Sequence, residues 1–201
     1  VAARTKHIRV GSGSVLLNHY SPFKVAENFN ALEDMFPGRI DMGIGRATTG
    51  PITDVALQRN RSFRQTSEDS GEQLTELAAW ISDDFKEDHA FSRIRSYKNG
   101  SVPPLWLLGS SQWSASAAAQ LGLRYSFAAF INPGQAYAIT QHYRNNFIPS
   151  QKITGISQPE LVLSLNIYCA PTEDEAARFM APSRRGVRGS DPPRARGRQA
   201  A

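Results

Sequence analysis

Residues 104–130, PLWLLGSSQWSASAAAQLGLRYSFAAF, contain the alternation that decides the fold. PLWLLGSS predicts a short apolar strand that breaks at a glycine, and RYSFAAF predicts a second strand of the same kind. Between them, SASAAAQLG predicts a helix of small residues that is closed by Gly122. A strand, a helix and a strand in succession indicate parallel strands joined by a crossover helix.

The same alternation extends in both directions along the chain. Strands are predicted over 7–17, 39–45 and 161–169, and helices over 21–38, 67–85, 133–147 and from Thr172 onward. The first helix has Ser21 as its N-cap and an acidic edge, which includes Glu33, that we expect to be exposed. Residues 46–66 are polar and predict a long loop, whereas Cys169 is expected to lie buried in the last strand.

This pattern places the chain in the α/β class. Two architectures compete, a doubly wound open sheet and a (β/α)8 barrel. Five predicted strands are too few to close a barrel, which usually needs about 250 residues. Because the chain opens close to a strand and ends in a helical pattern, we expect flanking units of the fold to be absent.

Composition indicates a soluble protein of the cytoplasm, because no apolar run approaches the roughly 20 residues of a membrane span and a single cysteine cannot form an internal disulfide. The net charge of +5 comes from residues 181–201, which carry six arginines and one acidic residue, so that residues 1–180 are neutral overall. This segment is nearly devoid of large apolar side chains, and it is predicted to be a disordered Arg/Pro-rich tail after a domain over residues 1–180. Without aromatic residues it offers no base stacking, so nucleic acid is not an expected partner.

No complete catalytic or nucleotide-binding motif is present. GSGSVL, from Gly11, lacks the third glycine of a dinucleotide fingerprint, and bare backbone there also suits close packing or a bulge. The four histidines have no metal-ligand spacing, so no metal site is predicted. Small, polar or cationic residues do follow the strands at their carboxyl ends, where parallel folds bind ligands. They include Gly13, Ser14, His19, Arg46, Ser110, Ser111 and Ser114.

Residues 9–47, RVGSGSVLLNHYSPFKVAENFNALEDMFPGRIDMGIGRA, together with residues 104–130 resemble the bacterial luciferase-like flavin-dependent monooxygenase family. The resemblance implies a TIM (β/α)8 barrel that is incomplete here, with the five strands matching about strands three to seven. It also implies reduced FMN, or a deazaflavin in some branches, delivered by a flavin reductase. Molecular oxygen and a small organic substrate complete the reaction, and members commonly form homodimers.

The resemblance assigns roles residue by residue. The Gly13-Ser14 bond matches the family's non-proline cis peptide against the flavin ring, and Arg46 matches the arginine that binds the FMN phosphate. Ser110 and Ser111, directly after Gly109, match a pair at the flavin, and Ser114 matches a hydroxyl near the phosphate. His19 is a candidate catalytic residue only by its position after a strand.

Two departures from the family pattern leave other functions open. Gly45 stands where luciferase has a reactive cysteine, which gives no support to light emission. The family's first two strands, with their pocket residues, and its eighth strand have no counterpart in this sequence. An FMN-binding or inactive remnant of the family is therefore the alternative to a monooxygenase, and a polyanion binder acting through the tail is a weaker one.

Overall fold

The strands form one parallel sheet in the computed structural model of the chain, which describes residues 1–46, 51–58, 69–96 and 100–188. The strands are β1 (Val10–Gly11), β2 (Val15–Leu16), β3 (Ile40–Gly45), β4 (Leu105–Gly109), β5 (Arg124–Ala128) and β6 (Leu161–Ser164). Both β1 and β2 pair with β3, and β4, β5 and β6 follow in that order. The sheet is half of a (β/α)8 barrel, which confirms the predicted fold class.

The strand predicted over residues 7–17 is interrupted, and this corrects the sequence interpretation. Gly11 pairs with Asp41 and Val15 pairs with Ile44. Between these two pairs the first strand therefore has one residue more than β3. An extra residue of this kind is a β-bulge, which unpairs the backbone locally. The bulge holds Ser12, Gly13 and Ser14, and a 3-10 turn over Leu17–His19 ends the strand.

Helices connect the strands as predicted, with one addition. They are α1 (Pro22–Met35), α2 (Pro51–Leu57), α3 (Ser70–Ser82), α4 (Gln112–Gln120), α5 (Ala136–Asn145) and α6 (Glu173–Arg188). Helix α2 lies inside the segment 46–66 that was predicted to be a loop, and that prediction is wrong for these residues. The short helix buries polar Asp54 and exposes apolar Ile52, so its pattern does not resemble that of an ordinary amphipathic helix. The other parts of the predicted loop, 47–50 and 59–66, lie outside the described residues.

The core lies between the sheet and the helices. Alternate strand residues face it, and Met42, Ile44, Leu107, Tyr125 and Phe127 are at most 2% exposed. Helix α3 adds a stripe of buried residues at the predicted spacing, consisting of Leu74, Leu77, Ala78 and Ile81. The opposite face of the sheet carries Asp41, Gly43, Trp106, Leu108 and Ser126, which line a cavity of about 210 Å³.

Glu33 is buried, contrary to the expectation of an exposed acidic edge on α1. Its side chain is 1% exposed, and Oε1 accepts hydrogen bonds from the Gly38 amide at 2.7 Å and from the Ser101 hydroxyl at 2.9 Å. The carboxylate therefore joins the turn after α1 to the segment before β4. Burial is tolerated because two donors supply part of the hydrogen bonding that water would otherwise give.

The chain divides into two units, Val1–Ser164 and Leu165–Ala201, so the division falls before the predicted boundary at residue 180. Strand β6 ends at Ser164 because its partner β5 ends opposite, at Ala128, and Cys169 is exposed instead of buried in the strand. In the second unit, the Thr172 hydroxyl caps α6 by accepting from the Glu175 amide at 3.3 Å, as the sequence predicts.

Helix α6 continues as far as Arg188, so residues 181–188 are helical where the sequence predicted disorder. The Thr172 cap and three acidic residues in the first turn favour the start of the helix. The helix continues through Pro182, which has no backbone N–H to donate within it. Residues 189–201 lie outside the described residues.

Candidate functional site

The bulge in the first strand brings a bare stretch of backbone to the carboxyl end of the sheet. The Gly13-Ser14 peptide bond is cis, as the resemblance implied. Ser12 replaces the missing strand pairing: its hydroxyl donates to the Gly43 carbonyl at 2.8 Å and accepts from the Gly43 amide at 3.0 Å. The Ser12 side chain thus fixes the bulge to β3 immediately before the cis bond.

Glycines on β3 make room for the bulge. A Cβ at Gly43 would overlap the Ser12 carbonyl oxygen, and a Cβ at Gly45 would overlap the Ser14 hydroxyl. Gly13 differs, because apart from its two chain neighbours no described residue has an atom within 4 Å of the point where its Cβ would stand. A side chain would therefore fit at Gly13, whereas the backbone at Gly43 and Gly45 leaves no room for one.

Arg46 directly follows β3, and its guanidinium lies over an aromatic ring. The Arg46 Cζ atom is 4.1 Å from the ring centroid of Trp113, which is the second residue of α4. A guanidinium at this distance is attracted to the ring face, and a cation–π contact does not itself occupy the N–H donors. The contact brings together the end of β3 and the start of α4, and it holds a fixed positive charge between them.

The serines after β4 build the start of α4. Ser111 is the N-cap, and its hydroxyl accepts from the Ser114 amide at 3.4 Å. The Ser114 hydroxyl donates to the Ser111 carbonyl at 2.7 Å and lies 3.0 Å from the Tyr125 hydroxyl. Ser114 is 4% exposed, so its hydroxyl is directed into the protein, whereas Ser111 is exposed at the helix start.

Gly109 and Tyr125 complete this network. A Cβ at Gly109 would overlap the Ser114 hydroxyl, and the Tyr125 hydroxyl also donates to the Gly109 carbonyl at 3.3 Å. Burial raises the pKa of Tyr125, and the hydrogen bond with Ser114 acts in the opposite direction. Ser110 is tied to the next loop, since the Asn132 side-chain amide donates to its carbonyl at 3.1 Å.

His19 lies in the 3-10 turn after β2, in contact with Asp54 of α2. The His19 Nε2 and Asp54 Oδ1 atoms are 3.0 Å apart, and the two side chains are 5% and 3% exposed. This buried pair joins the end of β2 to the helix inside the segment predicted as a loop. The structure thus gives His19 a contact that holds α2, and the catalytic role stays a prediction.

Of the predicted residues, Gly13 and Ser14 lie between β1 and β2, His19 and Arg46 follow β2 and β3, and Ser110, Ser111 and Ser114 follow β4. Ser14 lies against Gly45, and Arg46 contacts the start of α4. Sequence reasoning missed Ser12, Gly43, Trp113 and Asp54, whose partners are distant in the chain. The two glycines at alternate positions of β3, Gly43 and Gly45, were a signal for a close neighbour. Within residues 1–46, 51–58, 69–96 and 100–188 there is no group of His, Cys, Asp and Glu that could hold a metal ion. Across the same residues, every helix is too short or too polar to cross a membrane.

Comparisons with known proteins identify relatives of the chain. The sequence model of the family described as luciferase-like monooxygenase matches residues 1–201. The uncharacterized protein YwcH of Bacillus subtilis (strain 168) is 41% identical over 178 residues, which are 88% of this chain and 52% of YwcH. The crystal structure of apo-MsnO8 is 40% identical with a TM-score of 0.76, covering 94% of this chain and 54% of that one. The chain thus spans about half the length of the curated relatives it matches.

A more distant structure supports the fold alone. It is the oxygenating constituent of 3,6-diketocamphane monooxygenase of Pseudomonas putida, a type II Baeyer-Villiger monooxygenase in complex with FMN. It matches with a TM-score of 0.58 at 20% identity, covering 90% of this chain and 54% of that one. The match agrees with the half-barrel topology described above.

Proposed function

Because the chain belongs to the luciferase-like monooxygenase family, we propose that it binds FMN at the carboxyl ends of β2, β3 and β4. Bound in its reduced form, FMN would supply the electron pair that reduces one atom of O2 to water while the other atom is transferred to a small organic substrate. The observation that carries the proposal is the stacking of Arg46 on Trp113 beside the start of α4. It sets a permanent positive charge at the ligand-binding end of a parallel sheet.

The residues present fit a flavin with a phosphate group. A phosphate monoester carries about −1.5 to −2 charges at pH 7 and accepts several hydrogen bonds. Arg46 supplies a charged donor fork, and the exposed Ser111 at the start of α4 adds a neutral donor. We assign the phosphate to Arg46, Ser110 and Ser111. Ser114 supports them by holding the first turn of α4, because its hydroxyl is used inside the protein.

The bare backbone at Gly13-Ser14 suits the flat ring system. The space beside Gly13 is open, so a planar group can approach the peptide without meeting a side chain. Ser12 and the β3 glycines hold this peptide in place through the paired hydrogen bonds with Gly43. These residues orient the ring and exclude water from one of its faces.

Turnover is proposed for the whole protein, together with its partners. The partners are O2, the organic substrate and a flavin reductase, which delivers reduced FMN. The proposed assembly is a homodimer, and the proposed location is the cytoplasm. A deazaflavin is the alternative cofactor, and the titration described below separates it from FMN. An FMN-binding protein without turnover is the second candidate, since the chain spans about half the length of its relatives.

The test is a titration of the full chain with oxidised FMN, riboflavin and the deazaflavin F420, followed by visible absorbance and fluorescence. We expect saturable binding of FMN at one site per chain, and weaker binding of riboflavin. Absence of FMN binding would contradict both candidates. NADH-dependent oxygen uptake with a flavin reductase and trial substrates then separates them, with reductase and FMN alone as the control: uptake above that control supports the monooxygenase.

A further inference from the structure

A small cavity lies beside Arg46. Asn18, Arg46, Ser70 and Trp113 line it together with apolar residues of the core, which are Leu17, Ile44, Leu74 and Leu107, and with Gly45. Its volume is about 10 Å³. The cavity therefore lies among the turn after β2, the end of β3, the start of α3, β4 and the start of α4.

Two polar side chains that line this cavity lack hydrogen-bond partners among the described residues. Asn18 is 3% exposed, and neither Oδ1 nor Nδ2 of its amide is bonded. Ser70 is 8% exposed, and its hydroxyl is likewise unbonded. Buried polar groups in proteins are bonded in the large majority of cases, because burial without a hydrogen bond is costly. Both side chains line a single cavity, so one occupant can serve both.

We propose that this cavity is an internal hydration site, in which one ordered water joins Asn18 to Ser70 and accepts a hydrogen bond from Arg46. The volume of about 10 Å³ is close to the lower limit for one water and is far too small for a phosphate or a flavin ring. A water has two donors and two acceptors, so it can bond the amide in either orientation and the hydroxyl as well. Three polar partners are the usual number for a buried water.

The bridge makes Asn18 and Ser70 positioning residues for Arg46. The guanidinium has five N–H groups, so one bond to the water leaves donors for an outside ligand. The guanidinium lies over the ring face of Trp113, and the water would bind one of its N–H groups, so the guanidinium is held on two sides. This second step rests on the proposed function, in which Arg46 binds the FMN phosphate.

A high-resolution crystal structure of the full chain tests the water directly. We expect density for one ordered water within hydrogen-bond distance of both the Asn18 amide and the Ser70 hydroxyl. Direct bonds from these two groups to protein atoms, with no water between them, would overturn the proposal. This result does not depend on whether FMN binds.

Affinity for FMN relative to riboflavin tests the positioning role. Ser70→Ala removes one partner of the water at little structural risk, Asn18→Leu removes the amide with a similar volume, and Asn18→Ser restores a polar partner. Each loss of a hydrogen bond should lower FMN affinity about fivefold with riboflavin unchanged, and Asn18→Ser should recover part of the loss. Ser82→Ala, on the same helix, is the matched control, because Ser82 bonds the Ala78 carbonyl.

If the ratio of FMN affinity to riboflavin affinity is unchanged in both Ser70→Ala and Asn18→Leu, the positioning role is overturned. If the wild-type chain itself binds FMN and riboflavin equally, the phosphate role of Arg46 fails, and with it the positioning role. The crystallographic water then still decides the hydration site. The two failures are therefore distinguishable.

Discussion

Ser12 and Gly43 exchange two hydrogen bonds through a single hydroxyl group, with the Gly43 amide donating to Ser12 Oγ at 3.0 Å and Ser12 Oγ donating to the Gly43 carbonyl at 2.8 Å. The carbonyl oxygen of Ser12 occupies the space that a Cβ at position 43 would need. Gly43→Ala should therefore lower the free energy of unfolding by about 1–3 kcal/mol or more, because the backbone itself must move. Urea unfolding monitored by circular dichroism measures this change.

Two other glycines give graded comparisons for Gly43→Ala. Gly45→Ala should cost less, since the group it meets is the Ser14 side chain, which can rotate. Gly71→Ala, in the first turn of α3 with open space around it, should be neutral or stabilising by up to about 1 kcal/mol. Equal stabilities for all three variants would contradict the close approach of the bulge to β3.

Glu33 is predicted to stabilise the fold as an acceptor and not through its charge. Glu33→Gln keeps an oxygen for the Gly38 amide and the Ser101 hydroxyl, so it should cost less than about 1 kcal/mol. Glu33→Leu leaves the Gly38 amide without its partner and should cost about 1–3 kcal/mol. Ser101→Ala is the control for the second bond. If Glu33→Gln proves as damaging as Glu33→Leu, the acceptor role is wrong.

Tyr143 should make the fold sensitive to alkaline pH. Burial raises the pKa of Tyr143, whose hydroxyl donates to the carbonyls of Leu123 at 2.8 Å and Glu160 at 3.1 Å. The unfolded chain loses this proton near pH 10 while the folded chain keeps it, so stability is complete below about pH 10 and falls as pH rises further.

The measurement is urea unfolding at a series of pH values from 7 to about 11. Tyr143→Phe should flatten the alkaline decline, although part of it persists because burial also raises the pKa of Tyr125. Tyr137, which is 79% exposed and shares none of these contacts, provides the matched variant Tyr137→Phe. An alkaline decline that is the same in Tyr143→Phe and the wild type would show that Tyr143 is not its source.

His19 and Asp54 should behave as one structural unit. His19→Ala leaves Asp54 buried without this partner and should cost about 2–4 kcal/mol, near the range for breaking a buried pair. The double variant with Asp54→Ala should cost less than the two single changes added together, which a double-mutant cycle measures. Loss of oxygenase activity in His19→Ala without loss of stability would instead favour a catalytic role.

Local sequence patterns predicted most of the fold. The strand, small-residue helix and strand of residues 104–130 appear as β4, α4 and β5, because each element satisfies its own periodicity. The break in the first strand was not predictable in detail, since it depends on Ser12 bonding a residue 31 positions later. Helix α2 was missed for a similar reason: its buried residue is Asp54, which is stable there through its contact with His19.

The sequence predicted which residues lie at the candidate site better than it predicted which residues they contact. Strand ends and the family resemblance pointed to Arg46, but nothing in the sequence indicated that Trp113 would lie against its guanidinium. Ser114 illustrates the opposite case, because a hydroxyl in the first turn of a helix can face outward or inward. Here the nearby Tyr125 hydroxyl and the Ser111 carbonyl turn it inward.

The central claim is that Arg46 binds the phosphate of FMN, and the affinity of Arg46 variants for FMN and riboflavin tests it most directly. Arg46→Ala should weaken FMN binding by about tenfold to a hundredfold, as the loss of a charge-assisted hydrogen bond predicts, and leave riboflavin within about twofold. Arg46→Lys should be intermediate, because lysine keeps the charge without the planar fork. An equal loss of affinity for FMN and riboflavin in Arg46→Ala, or no loss for either, would contradict the assignment.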